Sequence, residues 1–364
     1  MSTRQFYIIL WAFVLTSKIQ KLPCLMYGYV GKDFYILPIV YMLVNVLMIC
    51  LVFFILNHTR AKQKNKFICK ADKFSGKILK QILMIFAAFY FLCQALILYE
   101  HIQNIFANAL FDNISWVVFS LLLVACVIYL AHTEIQNIAY ATELHMFLMA
   151  FSILALALLG TEHTDLSSIL PFETINTSDL LSNYGKFNLW FGDWFLVLFL
   201  ARKADKIKLS KTLFVYVATM LFVVGLYVIF SGIYLSYTPV QSALVGTISE
   251  QSMLTVGVGR FDWFLILFVE VGTILSCAVS VFFGTRCLSE GLPKIKTIWL
   301  ECFFALGLYL LDVMYLKDVH QKELFFTGTA GVLCEAIKIS IFAMLFVGAV
   351  FAKHKTRRTN EKLS

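Results

Sequence analysis

Charge is scarce in this chain. Only 14% of its 364 residues are charged, against roughly 25% in a soluble globular domain. A chain that is 60% hydrophobic could not hide that surface from water, which excludes a soluble enzyme and a disordered chain. Segments of about ten residues with alternating polarity are missing too, which excludes a membrane β-barrel. None of the nine cysteines forms a CxxC pair or a Cys/His cluster, so no structural zinc site, metal or cofactor is expected. Cys50, Cys93, Cys126, Cys277, Cys302 and Cys334 fall in apolar stretches, and Cys69 and Cys287 in basic loops. HExxH, GxGD and nucleophile motifs are absent.

Present instead are apolar blocks of about 20 residues, the length that crosses about 30 Å of hydrocarbon as a helix. They predict an all-α integral membrane protein, a single membrane domain over 1–364. Helices are expected near 5–27, 34–56, 78–104, 114–132, 134–160, 185–201, 212–236, 261–284, 297–316 and 324–351. The first block begins like a signal peptide, with Arg4 before an apolar run, but it lacks a small-x-small cleavage site and reads as a retained helix.

The excess of basic residues reads as topology rather than nucleic-acid binding. Lys and Arg crowd the connections 57–80, 202–211, 286–296 and 353–362. The alternate connections hold Lys32, Lys186, Arg260, Lys317 and Lys322. This bias places both termini in the cytoplasm. Connection 57–80, with Phe67, Ile68 and Phe74, reads as a topology signal or as a surface docking on anionic lipid or a cytosolic partner. Loop 237–260 is expected to cap the outer side. Ten spans divide into two halves of five, a parity that allows an inverted repeat of the kind that builds many secondary transporters.

Intramembrane charge is expensive, so each instance needs a partner, water or a function. Span 1 carries Thr16, Ser17, Lys18, Gln20 and Lys21 ahead of Pro23, and span 6 carries Gly192 and Asp193. Interrupted helices at corresponding positions of two halves point to a transporter-like site. One reading has Thr16–Lys18 and Phe191–Asp193 lining a cavity whose opened backbone holds the ends of a small zwitterion. Another makes Lys18 and Asp193 a structural ion pair, or lets Lys18 and Lys21 snorkel to the outer face. Glu270 lies near the middle of span 8 and is a further candidate for the cavity. Glu100, Glu143 and His145 are candidates for a proton relay, with contacts between helices as the alternative. Glu335 and Lys338 are expected to neutralise each other on one helix face, and Glu301 and Asp312 to be interfacial. Gly272, Ser276, Ser280 and Gly284 are spaced for close helix packing.

Several short motifs, in order, resemble the spore germination receptor B-subunit family, the GerAB type. They are Met1–Phe6 opening the first span, Leu22-Pro23, Gly31-Lys32-Asp33-Phe34, Ser75–Lys80, Glu100, Ala141-Thr142-Glu143, Phe191-Gly192 and Gly259-Arg260-Phe261-Asp262. The resemblance implies membership of the amino acid–polyamine–organocation superfamily, with a LeuT-like 5+5 inverted repeat and broken helices 1 and 6. It implies a pocket between helices 1, 3, 6 and 8 for a nutrient, often an amino acid. It further implies A-type and C-type receptor subunits as partners. The chain departs from the pattern where Thr16-Ser17-Lys18 replaces a small, glycine-containing break, and where Asp193 follows Gly192 directly. Lys18 and Asp193 are therefore expected within about 5 Å of each other, each relieving the other's burial. A fixed ammonium there would stand in for a sodium ion.

Nutrient sensing is the leading reading. The alternatives are a proton- or cation-coupled amino acid transporter working through Glu143, Glu270 or the Lys18/Asp193 pair, and a multi-span membrane acyltransferase, for which His145 offers the one membrane-embedded base.

Overall fold

A computed structural model describes residues 1–59, 76–106, 116–161, 177–204, 206–234, 262–315 and 319–360. Among them there are helices and turns and no strand. The helices are α1 (Thr3–Thr16), α2 (Leu22–Val30), α3 (Ile36–Thr59), α4 (Gly76–Ile105), α5 (Trp116–His132), α6 (Ile135–Thr161), α7 (Thr177–Asn183), α8 (Asp193–Leu200), α9 (Leu209–Tyr234), α10 (Asp262–Gly291), α11 (Thr297–Leu310), α12 (Val319–Thr327) and α13 (Thr329–Asn360).

Six segments among the described residues are long and apolar enough to cross a membrane: Ile36–Asn57, Ile78–Gln103, Ile135–Leu158, Leu209–Ser231, Leu265–Gly291 and Gln321–Val347. The two within α4 and α10 are 72% and 78% buried, against 33% to 44% for the other four. These two helices lie along each other at the centre. The remaining long helices surround them and turn Leu43, Leu47, Leu144, Phe147, Phe214 and Phe303 outward. An apolar surface this extensive belongs against lipid.

Four of the expected spans do not run as single helices, the tenth being divided at Gly328 between α12 and α13. The first stops at Thr16 and resumes at Leu22. Thr16 Oγ1 donates to Ala12 O at 2.9 Å and Ser17 Oγ to Val14 O at 3.2 Å, bonds that compete with the helix for its own carbonyls. Pro23 then sits in the first turn of α2, the one place in a helix where a missing N–H goes unnoticed. Gly31 ends α2 at φ 77°, a left-handed conformation open to glycine, and turns the chain through a short 3-10 segment into α3.

The sixth expected span, 185–201, is helical only from Asp193. Tyr184–Phe187 form a 3-10 turn and residues 188–191 a further turn. The ninth passes from α11 into a π-helical turn, Leu311–Tyr315. Asp312 lies in that turn and Glu301 in α11. Both are buried. Glu301 Oε2 lies 2.7 Å from His132 Nδ1, and Asp312 accepts from Lys322 and Gln103, each at 2.8 Å. Burial is tolerated because partners arrive from other segments. The eighth span runs on to Gly291, so Cys287 is a buried helical residue rather than part of a basic loop. The capping segment expected at 237–260 and most of the basic connection 57–80, with Cys69, lie outside the described residues.

The small residues of α10 do serve close packing. A Cβ at Gly284 would collide with the Phe304 ring of α11, and one at Gly272 with Met149 of α6. Gly284→Ala is expected to destabilise by about 1–3 kcal/mol through overpacking. Gly225→Ala in α9, where nothing lies within 4 Å, is expected to be neutral or stabilising by up to about 1 kcal/mol. Thermal unfolding of the two variants in the same detergent checks the contrast.

Candidate functional site

The two helix breaks face each other. Residues 17–21 interrupt the path from α1 to α2, and residues 184–192 lead into α8. Lys18 Nζ reaches across to Asp193 Oδ1 at 2.8 Å, inside the expected 5 Å, with both side chains buried. Lys18 also donates to Ser17 Oγ at 3.1 Å and lies 5.3 Å from the centre of the Phe191 ring. Tyr216 of α9 donates to the second oxygen, Asp193 Oδ2, at 3.3 Å. Neither Lys18 nor Lys21 snorkels: Lys21 is buried as well, 2.9 Å from Glu100 and 3.2 Å from Glu323.

Breaking a helix frees carbonyls, and away from water these need new hydrogen-bond donors. Here protein side chains supply them. Tyr227 of α9 donates to Lys18 O at 2.7 Å. Gln94 and Tyr90 of α4 donate to Leu189 O at 2.6 Å and Gly192 O at 3.3 Å. Lys338 of α13 donates to Asn188 O at 3.0 Å. Asn45 of α3 serves both ends of its turn: Nδ2 donates to Phe191 O at 3.0 Å, and Oδ1 accepts from the N–H of Trp194 at 3.4 Å. Gly192 caps α8 with no side chain because there is no room for one. A Cβ there would run into the Tyr90 hydroxyl and would lie 3.3 Å from Lys338 Nζ. Phe191 stacks on Tyr41 at 4.1 Å between centroids, and Tyr41 on Tyr184 at 4.4 Å. Five carbonyls at the breaks are therefore met by the protein's own side chains.

Thr16, Ser17, Lys18, Phe191, Gly192 and Asp193 are brought together at these breaks. Thr16 Oγ1 also joins α1 to α10 through Ser276 Oγ at 2.9 Å. Glu270 reaches the same break by a different contact. Its Oε1 accepts from Gln20 Nε2 at 2.6 Å, and its buried Oε2 has no hydrogen-bond partner among the described residues. Glu100, Glu143 and His145 are each held by a separate partner. Glu143 pairs with Arg4 at 2.9 Å, His145 Nε2 lies 2.5 Å from Phe268 O, and Glu100 pairs with Lys21. None of these bonds links one of the three to another. Glu335 pairs with Lys338 at 2.5 Å, as their spacing implied. The residues that sequence reasoning missed are Asn45, Tyr90, Gln94, Tyr216 and Tyr227. For Asn45 and Gln94 the signal was an amide side chain within a long apolar run.

An all-helical integral membrane protein with paired charges at two interrupted helices is the class that this arrangement defines. A model of the spore germination protein family, of the permease type, matches residues 1–322. The chain belongs to that family, which is a membrane permease or receptor type whose members work with other receptor subunits. No curated protein matches the chain significantly.

Removing one partner of a buried ion pair leaves the other charge unpaired. Lys18→Met and Asp193→Asn are each expected to cost about 3–5 kcal/mol, and Lys18→Met/Asp193→Asn to recover most of that loss. A double-mutant cycle on unfolding in detergent, read by circular dichroism, measures the coupling.

Proposed function

We propose that this protein is a nutrient-sensing membrane subunit of a germinant receptor, built on a transporter fold. In this reading the chain is one membrane domain of ten spans arranged as a LeuT-like 5+5 inverted repeat. Spans 1 and 6 are its broken helices, and both termini are cytoplasmic. The ligand is an amino acid or similar small molecule. It binds between the breaks, at Thr16, Ser17, Lys18, Phe191, Gly192 and Asp193, with Glu270 beside them. A-type and C-type subunits read the resulting change. No catalytic step is assigned to the chain.

The observation that carries the reading is the Lys18–Asp193 bond between two facing helix breaks in a member of a germination family. A small zwitterion offers a carboxylate for the ammonium of Lys18 and an ammonium for the carboxylate of Asp193. It can therefore replace the internal bond by two external ones. Such a ligand favours the opened arrangement to the extent that it binds that state better than the closed one.

Proton-coupled transport is favoured by one further observation. Glu270 is a buried carboxyl whose Oε1 accepts from Gln20 and whose Oε2 has no hydrogen-bond partner among the described residues, so that oxygen is open to a proton or a cation.

A thermal-shift scan of the purified protein against the twenty amino acids, polyamines and simple sugars tests the proposal. A true ligand at a hundred times its Kd raises apparent stability by about 2.7 kcal/mol. The shift is expected to vanish in folded Lys18→Ala and Asp193→Ala variants. A ligand whose shift survives in both binds elsewhere. Uptake into proteoliposomes that stops when the proton gradient collapses would favour the transport reading.

A further inference from the structure

A concave feature lies away from the breaks, on the face shared by α1, α6 and α9. It has a volume of about 650 Å³. Its walls are apolar: Ile8 and Trp11 from α1, Met146 from α6, and Phe214, Val215 and Phe222 from α9. Phe214 is 74% exposed, so this face looks outward into the bilayer. One end of the groove has a different chemistry. Arg4 and Lys211 line it there, and Lys206 and Lys208 stand exposed beside them. The segment that carries these lysines is tied to α1, because Thr3 Oγ1 donates to Lys206 O at 2.8 Å. Glu143 is the acid at this rim. It engages Arg4 through Nε at 2.9 Å, and the arginine side chain remains 68% exposed. The N-termini of α1, at Thr3, and of α9, at Leu209, open at the same end. Their first-turn N–H groups and helix dipoles add to the positive field.

We infer that this groove is a binding site for one anionic phospholipid, with the phosphate at Arg4, Lys208 and Lys211 and an acyl chain lying between α1 and α9. The chemistry of the two ends matches such a molecule and fits other occupants poorly. A zwitterionic lipid would bring its own cation into a rim that, among the described residues, has four basic side chains and one acid. A soluble anion would leave the apolar walls bare. From Lys211 to Phe222 α9 rises about 16 Å, a length suited to an acyl chain. The inference is independent of the nutrient site. It nevertheless bears on it, because α1 is both a wall of the groove and the helix that ends in the Ser17–Lys21 break. A lipid seated there resists displacement of α1 from α9.

Trp11 provides a reporter. The full-length protein in mixed micelles is titrated with phosphatidylglycerol brominated in its acyl chains and, separately, with the matching brominated phosphatidylcholine. Tryptophan fluorescence is followed, and Trp11→Phe isolates the Trp11 component. Half-quenching of that component is expected at about a tenfold lower mole fraction of the anionic lipid, as lysine-rich surfaces prefer anionic headgroups. Lys208→Gln/Lys211→Gln, substitutions of exposed side chains, is expected to abolish the preference while leaving the unquenched spectrum unchanged. Ala218→Leu, which fills the groove wall, is expected to weaken Trp11 quenching by both lipids. Equal quenching by the two lipids in the unaltered protein, or a preference that survives the double substitution, would overturn the inference. Relief of quenching by soluble glycerol phosphate at millimolar concentration would overturn it too, since the acyl chain would then contribute nothing.

Discussion

A peptide group that leaves a helix inside hydrocarbon has no water to turn to, and everything around the two breaks follows from that constraint. The carbonyls of Lys18, Asn188, Leu189, Phe191 and Gly192 are each met by a side chain from α3, α4, α9 or α13. The breaks are consequently the points at which four other helices are tied together. The Lys18–Asp193 bond joins the two broken segments directly, at 2.8 Å, with Tyr216 holding the second carboxylate oxygen.

This arrangement closes the space between the breaks. Lys18 has no exposed surface, and its ammonium donates to Asp193 and Ser17. A buried ion pair contributes little net stability compared with an apolar pair of the same shape, yet it is costly to half-dismantle. These are useful properties for a switch. In the proposed role, a molecule with both charges would substitute for both partners at once. The polar contacts Thr16–Ser276 and Gln20–Glu270 attach the same break to α10, the most buried long helix. In the proposed sensing role, a movement at the break would reach the centre of the protein through these contacts.

The interruption of the first and sixth spans was legible in the sequence because charges, Pro23 and Gly192 stand out in apolar runs. A charge at mid-span costs roughly 2.5–3.5 kcal/mol, so few sequences carry one without reason. Asn45 and Gln94 left a weaker trace, since a hydrogen bond between membrane helices averages about 0.6 kcal/mol. Tyr90, Tyr216 and Tyr227 left none, because they are three among 16 tyrosines and their role depends on which carbonyl lies opposite. Nothing in the sequence around Asp312 announced the π-helical turn that sets it against Lys322. Cys287 sits among basic residues, but α10 continues past it.

In the proposed role the nutrient acts by replacing the bond between Lys18 and Asp193. The direct measurement is an experimental structure of the protein in lipid nanodiscs, with and without the ligand that the stability scan identifies. The account predicts that the pair separates beyond about 4 Å, the limit of a salt bridge, and that the charged ends of the ligand occupy the freed ammonium and carboxylate. A bound ligand with the Lys18–Asp193 contact still at its closed distance would contradict it.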